Sequence, residues 1–291
     1  NSDAIFNNSC EVQLLENIRF FQGEKTSSDE LGYKLANLGD VYVFDAFGTS
    51  HREQASTHSA IKQSRIACAG LLLEKENNFL SKVLDNYENP YLAVIGGAKV
   101  STKLELLTHI NKVAENILVG GGIANTFICA AGYKVGMSLI EDSMIDSAKK
   151  ILDEGKILLP KKVVTSDSFE GSNVQEKYIA DIEDHEMILD LKIENETHTI
   201  INSAKTILWN GPMGVFENEL FEEGTKTLSQ AISKSSAFSI AGGGETLSAI
   251  NKYINIDDVS YCSTGGGAFL EFMEGKTLPS IKALNAKNTE E

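Results

Sequence analysis

LAVIGGAKVSTKLELLTHINKVAENILVGGGIANTF, residues 92–127, contains the same unit twice. Each copy begins with a short apolar, β-branched run, passes through glycines and continues into a stretch with helical periodicity. Residues 92–95 precede Gly96 and Gly97, and residues 117–119 precede Gly120, Gly121 and Gly122. The unit returns three more times: residues 206–209 before Gly211, 238–241 before Gly242, Gly243 and Gly244, and 259–264 before Gly265, Gly266 and Gly267. Continuous apolar strands alternating with amphipathic helices imply a parallel sheet covered on both faces, because each crossover lays a helix back over the sheet. The fold class read from this is α/β, doubly wound. Ligands of such sheets sit beyond the carboxyl ends of the strands, where these glycines fall.

The flanking elements follow from pattern. In STKLELLTHINKVAEN, Leu104, Leu107, Ile110 and Val113 mark a helix that Ser101 would cap. EDSMIDSAKKILDEG reads as a second helix, closed by Gly155. Residues 70–87 read as one long helix with Leu71, Leu72, Leu80, Val83 and Leu84 inward, stopped near Pro90 and placed to join two lobes. Upstream, VYVFDAFGTSHREQAST reads as a buried strand entering a Gly-Thr-Ser turn, and QLLENIRFFQGE as a shorter strand. Residues 181–199 are acidic and weakly periodic and read as irregular connections or short strands, and the tail after Asn288 as frayed.

A chain of 291 residues with 42% hydrophobic side chains can bury a large core as two lobes. Its 26 Lys and Arg against 41 Asp and Glu give a formal charge of -15, which argues against nucleic-acid and anionic-lipid partners. An anionic ligand would need a local cationic pocket. Cys10, Cys68, Cys129 and Cys262 form no C-x-x-C pair, so reduced cytoplasmic thiols are expected rather than zinc or disulfides. No run reaches the ~18 apolar residues of a membrane span, and NSDAIFNNSC has no leader pattern.

One glycine cluster alone is most simply a tight turn, but five after strands suggest a nucleotide pocket. Glycine admits close backbone approach, and helix N-termini offer amides and partial positive charge to phosphate. Neither G-x-G-x-x-G with its acidic partner nor G-x-x-x-x-G-K-[ST] is present, which weighs against dehydrogenases and Walker-type enzymes. Lys99 and Lys103 would project from one helical face beside the amides, although a solvated surface pair is the commoner use of lysines. Arg19 and Arg52 each follow an apolar run and could grip phosphate through paired hydrogen bonds, or simply be surface arginines.

LLENIRF (14–20), DVYVFDAFGTSHREQAST (40–57), AVIGGAKVSTKL (93–104), LVGGGIANTF (118–127), TILWNGPMGVFE (206–217), FSIAGGGETLSAI (238–250) and STGGGAFLEFMEGKTLP (263–279) resemble, in order and spacing, successive signatures of the phosphoglycerate kinases. The resemblance implies reversible phosphoryl transfer from 1,3-bisphosphoglycerate to MgADP, giving 3-phosphoglycerate and MgATP, in the cytoplasm and by a monomer. It implies a remainder of the triose-binding lobe over residues 1–69, a hinge helix over 70–89, a nucleotide lobe over 90–274 and a returning C-terminal segment over 275–291.

Arg19 and Arg52 would hold the unreactive phosphate of the triose, and Lys99 the phosphoryl group in flight. Gly265, Gly266 and Gly267 would aim helix amides at that group. Lys103 and Asn210 would serve the nucleotide phosphates, and Gly244 and Thr246 would also belong to the nucleotide site. Gly97, Ala98, Gly121, Gly122 and Val215 would line the adenosine site, and Glu217 would accept from the ribose hydroxyls. Glu245 stands where the family usually has Asp and would contact the nucleotide's Mg²⁺.

The family's opening Arg, Asp and Asn segment and its His-and-Arg motif are not found, so an incomplete triose lobe and retained MgADP binding with weak or absent turnover are expected. The competing readings are a nucleotide-binding fragment without efficient catalysis and a dinucleotide-dependent oxidoreductase of the same fold class. Closure about residues 70–90 would bring donor and acceptor together.

Overall fold

A computed structural model of the chain describes residues 11–288; Cys10, the rest of NSDAIFNNSC and the tail after Asn288 lie outside them. The chain divides into two compact units, one drawn from the stretches up to Asn78 and from Lys276 onward, the other Phe79–Gly275.

The first stretch of the smaller unit contains α1 (Asp29–Ala36), β1 (Val41–Phe44), α2 (Ala60–Gln63), β2 (Ile66–Ala69) and the start of α3 (Leu71–Leu84). Ser28 caps α1 by accepting from the Leu31 amide at 3.4 Å, with Asp29 and Glu30 in the first turn. β1 and β2 pair in parallel, Val41 opposite Ile66 and Phe44 opposite Ala69.

Three expectations change here. QLLENIRFFQGE carries no strand: Ile18–Phe20 is a 3₁₀ turn whose Arg19 amide donates to Asn17 Oδ1, a local side-chain bond that competes with extended structure. β1 is not a buried strand, since Val41 and Val43 are exposed and only Phe44 is buried, as alternation requires of a strand covered on one face. Helix α3 is shorter than residues 70–87 and is turned differently. Leu71 and Leu72 face out, while Leu73, Glu76, Leu80 and Val83 form the buried stripe at spacings of three and four.

The larger unit holds, in chain order, β3 (Tyr91–Ile95), α4 (Leu104–Val113), β4 (Asn116–Val119), α5 (Gly121–Ala130), α6 (Ile145–Leu152), β5 (Ile157–Leu158), β6 (Lys162–Ser166), β7 (Gln175–Tyr178), β8 (Met187–Leu191), α7 (Asn195–Ser203), β9 (Thr206–Asn210), α8 (Glu223–Lys234), β10 (Phe238–Gly242), α9 (Gly244–Tyr253), β11 (Tyr261–Ser263) and α10 (Gly267–Met273). The returning α11 (Pro279–Asn288) packs on α2 and β2.

Among the described residues the main sheet has six parallel strands in the order β11-β10-β9-β3-β4-β5. All five strand-glycine units therefore lie in one sheet. Every residue of β3 and β9 is buried, so both faces are covered, as the unbroken apolar runs require. The order reverses between β3 and β9, which makes the carboxyl ends of those two strands a topological switch point.

A second, antiparallel sheet β7-β6-β8 stands beside it, with a register irregularity between Val164 and Thr165. Residues 181–199 hold strand β8, one of the short strands expected there, and most of helix α7, which was not expected. Burial of Ile188, Leu189, Asp190 and Leu191 overrides weak local propensity there.

Candidate functional site

The glycines at the strand ends first serve one another. A Cβ on Gly96 would collide with the Pro212 carbonyl oxygen, one on Gly120 with the same atom, and one on Gly211 with the Gly96 carbonyl. A Cβ on Gly121 would lie 2.8 Å from the Gly97 carbonyl, and one on Gly122 would collide with that of Ala98. Backbone hydrogen bonds sew these loops together: the Gly96 amide donates to Asn210 O at 2.9 Å, Gly121 to Met213 O at 2.8 Å and Ile123 to Gly97 O at 3.0 Å. Gly244 and Gly266 differ, since a side chain there would meet open space.

Above the stitched loops lies a cavity of about 180 Å³, lined wholly by residues of the larger unit. Seven residues named from the sequence meet around it: Gly97, Ala98, Gly121, Gly122, Val215, Glu217 and Glu245. The rest of its wall was not foreseen. Leu139, Phe169, Met187, Ile188, Leu189, Pro212 and Met213 make an apolar slot, with Asn125 and Asp190 as its buried polar members. The signal available was MILDL, residues 187–191, an apolar run inside an acidic stretch; its place beside the main sheet is a tertiary fact.

Lys99 and Lys103 do not share a helical face, because α4 begins only at Leu104 and Lys103 is its N-cap residue. Ser101 does not cap the helix either; its amide and hydroxyl both donate to Glu141, at 2.8 and 2.6 Å. Lys99 is exposed, and its charge adds to the Ser101 bonds in holding the Glu141 carboxyl below the usual range. Lys103 instead turns inward. Its ammonium donates to the Gly96 and Asn210 carbonyls, the latter at 3.0 Å, bridging the two loops of the switch point. Burial pushes its pKa down to about 8, against the opposing pull of Glu245.

Asn210 and Thr246 also turn to backbone. Asn210 Nδ2 donates to Gly242 O at 2.7 Å; Thr246 Oγ1 accepts from the Gly211 amide at 2.8 Å and donates to Gly242 O at 2.9 Å. Both side chains brace the loops. Gly244 opens α9 with Glu245 exposed in its first turn, and Gly267 opens α10 after the exposed Gly266. Arg19, on the Ile18–Phe20 turn, and the exposed Arg52, whose Nε donates to His51 Nε2 at 3.4 Å, belong to the smaller unit. Among the described residues no cluster of three His, Cys, Asp or Glu is disposed to hold a metal, and no helix is long and apolar enough to cross a membrane.

One wall of the cavity is held by two elements. The Val215 amide donates to Leu189 O at 2.8 Å, and the Met213 amide to Thr225 Oγ1 at 3.0 Å. Asp190 Oδ2 accepts from the Gly224 amide at 2.7 Å, tying β8 to the first turn of α8. Burial pushes the Asp190 carboxyl up to about 7, although hydrogen bonds from the Gly224 and Leu191 amides oppose the rise.

Fold and site together define a doubly wound α/β protein with a ligand cavity at the switch point of its parallel sheet. The family model for phosphoglycerate kinase matches residues 3–276. The chain is 50% identical to a phosphoglycerate kinase of Vibrio campbellii, with 96% of this chain and 73% of that protein covered, and 51% identical to one of a Psychrobacter species, with 96% and 74% covered. Its structure resembles that of phosphoglycerate kinase from Coxiella burnetii, with a TM-score of 0.89 at 44% identity over 93% of this chain and 72% of that one. It also resembles the enzyme of Pyrococcus horikoshii, with a TM-score of 0.80 at 32% identity over 95% and 73%. The chain belongs to the phosphoglycerate kinase family and spans about three quarters of the length of these relatives. It is a phosphotransferase of glycolysis.

Proposed function

We propose that the cavity of the larger unit binds the adenosine part of MgADP or MgATP, and that the chain exchanges a phosphoryl group between that nucleotide and 1,3-bisphosphoglycerate or 3-phosphoglycerate. The observation carrying this is the partly buried ammonium of Lys103, lodged between the Gly96 and Asn210 carbonyls beside a glycine-walled cavity. A compact cation in a protein of formal charge -15 answers the need for a local anion site.

In this reading Gly97, Ala98, Gly121, Gly122 and Val215 face the adenosine, Glu217 accepts from its ribose, and Lys103, with the first turn of α9 at Gly244, faces its phosphates. Asn210 and Thr246 act through the backbone they brace. Lys99, free of the helix and exposed, takes the phosphoryl group in transit, with the amides at Gly265, Gly266 and Gly267. The transition state is mainly a charge-placement problem, so cations and oriented amides suffice and no protein nucleophile is needed. Arg19 and Arg52 take the triose phosphate.

A single exposed carboxylate fits a magnesium ion that the nucleotide largely holds, since Mg²⁺ keeps several waters and uses one or two carboxylates beside phosphate oxygens. Glu245 is that carboxylate, and the ion would supply charge neutralisation of the phosphates. The chain works in the cytoplasm as a monomer.

Calorimetric titration with MgADP and a coupled ATP-forming assay, run separately, test binding and transfer. Lys103→Ala should weaken ADP binding at least tenfold, and Lys99→Ala should lower turnover while leaving ADP affinity within about threefold. A Lys103→Ala chain with unchanged ADP affinity would refute the phosphate role. Glu245→Asp should alter the Mg²⁺ dependence of ADP binding, and an unaltered dependence would remove the metal role.

A further inference from the structure

The segment that carries Lys99 is gripped at its middle by a residue outside the cavity. Residues 97–103 run from the cavity to the start of α4. At one end the Gly97 carbonyl accepts from the Ile123 amide at 3.0 Å, and at the other Lys103 bridges the Gly96 and Asn210 carbonyls. Between these ends the chain turns on itself, Thr102 Oγ1 donating to the Lys99 carbonyl at 2.8 Å and the Lys103 amide to the Val100 carbonyl at 2.9 Å. The exposed Ser101 at the middle is held by Glu141, its amide donating to Oε2 at 2.8 Å and its hydroxyl to Oε1 at 2.6 Å. Both oxygens of one carboxylate are engaged, so the turn is fixed in orientation as well as in place.

Glu141 is itself anchored. Its amide donates to Thr126 Oγ1 at 3.2 Å, and that hydroxyl, fully buried in α5, donates to the Gly122 carbonyl at 2.9 Å. Three residues earlier, Ser138 Oγ accepts from the Ile188 amide of β8 at 2.8 Å. A line of hydrogen bonds thus runs from Gly122 at the cavity through Thr126 and Glu141 to the turn that follows Lys99. A lysine ammonium rides on a flexible four-carbon stem, so it is aimed only as well as the backbone beneath it. Misplacing a reacting group by ~1 Å can cost on the order of a hundredfold in rate.

We propose that Glu141 is a positioning residue for Lys99, holding the turn over residues 99–102 so that the ammonium meets the terminal phosphoryl group of the nucleotide. The inference rests on the reading of Lys99 as the phosphoryl contact and adds the residue that sets its place. Glu141 acts on Lys99 in two opposed ways. Its charge draws the ammonium away from phosphate, while its hydrogen bonds fix the turn. Lys99 is exposed, and charge pairs in water shift an equilibrium about fivefold at most, so the fixing of the turn prevails.

The test is calorimetric titration of the full chain with MgADP and with MgATP. The two ligands differ by the phosphoryl group that Lys99 would touch, so the ratio of their affinities reads that contact without turnover. Lys99→Ala should lower ATP affinity about tenfold and leave ADP affinity within about threefold. Glu141→Ala should lower ATP affinity about fivefold, again with ADP within about threefold. The double variant should match Lys99→Ala within about twofold, since a residue that acts through Lys99 then has nothing left to act on. A merely structural role would carry its cost into the double variant and into ADP binding alike.

An ATP-to-ADP ratio that Glu141→Ala leaves unmoved or raises, or a loss that multiplies in the double variant, overturns the role of Glu141 and leaves that of Lys99 standing. A ratio unmoved by Lys99→Ala overturns both. Should Glu141→Ala fail to fold, Glu141→Gln decides by the same ratio: it keeps one acceptor for Ser101 and loses the charge, so a loss of about threefold in ATP affinity is expected and a gain overturns the proposal.

Discussion

Gly96 and Gly244 follow strands of the same sheet and are held for opposite reasons. Gly96 is packed under the Pro212 carbonyl, so its missing Cβ lets two loops touch, whereas Gly244 opens onto free space at the first position of α9. Gly96→Ala should therefore lower stability by about 1–3 kcal/mol through overpacking, with no rotamer available to relieve it. Gly244→Ala should leave thermal stability unchanged or raise it by a few tenths of a kcal/mol, since alanine is the better helix former. Thermal melts of the two variants check the contrast, and equal destabilisation would contradict it.

At the same scale, Lys103 carries a pH signature. Its pKa of about 8 lies below the ordinary 10.5 because burial disfavours the charge. Between those values the unfolded chain binds more protons than the folded one, so the Lys103 contribution to stability becomes more favourable as pH rises through that window. Nucleotide affinity should move the other way, falling as pH climbs past 8 and the free protein loses its ammonium. The nucleotide's phosphates, with a second pKa near ~6, no longer titrate there. Lys103→Arg should stay flat across pH 7.5–9.5 in the same titrations, because guanidinium does not deprotonate in that range.

At the scale of elements, the cavity wall depends on how β8 meets α8. Asp190 joins them through the Gly224 amide, and Leu189 of the same strand carries Val215. The Asp190 carboxyl titrates near 7 against an ordinary 3.8 because burial disfavours the carboxylate. Between those values the folded chain binds more protons than the unfolded one, so this group's contribution to stability erodes as pH rises from about 4 to 7. Asp190→Asn keeps an acceptor for Gly224 and loses the charge, so it should flatten that dependence and gain on the order of 1 kcal/mol at pH 8. Asp190→Leu deletes the tie between helix and strand and should weaken ADP binding through Val215 and Glu217. Urea unfolding at pH 5 and pH 8 separates the two effects.

Elements also mark how far pattern reading reaches. The five strand-glycine units were legible because a run buried on both faces must be apolar throughout, a property written locally in the residues. Helix α4 was legible in its body and not at its start, since Ser101, a good cap by type, is drawn away by Glu141 from forty positions along the chain. Strand β8 is one of the short strands read into residues 181–199, whereas helix α7 escaped notice because that stretch is only weakly periodic.

Across the whole molecule, the cavity belongs to Phe79–Gly275, while Arg19 and Arg52 belong to the other unit. Saturating MgADP should therefore slow hydrogen exchange at loop amides around Gly121, Ile123 and Val215 and leave the amides of α1 and α2 unchanged. At a hundred times its dissociation constant it should add about 2.7 kcal/mol to the stability of the unit that binds it. Equal protection of both units would contradict a site confined to one.

Alternation of apolar runs, glycines and amphipathic stretches determined, with no coordinates at all, that this chain builds a doubly wound parallel sheet with its chemistry at the carboxyl ends of the strands. Those features are local demands of backbone pairing and solvent exclusion, so neighbouring residues must satisfy them. Tertiary structure alone decided that Lys103 turns under the loops while Lys99 stays outside, and that glycines make room for one another as well as for a ligand. Each of these depends on which distant loops meet, and contacts between residues a hundred positions apart leave no periodic trace in either segment.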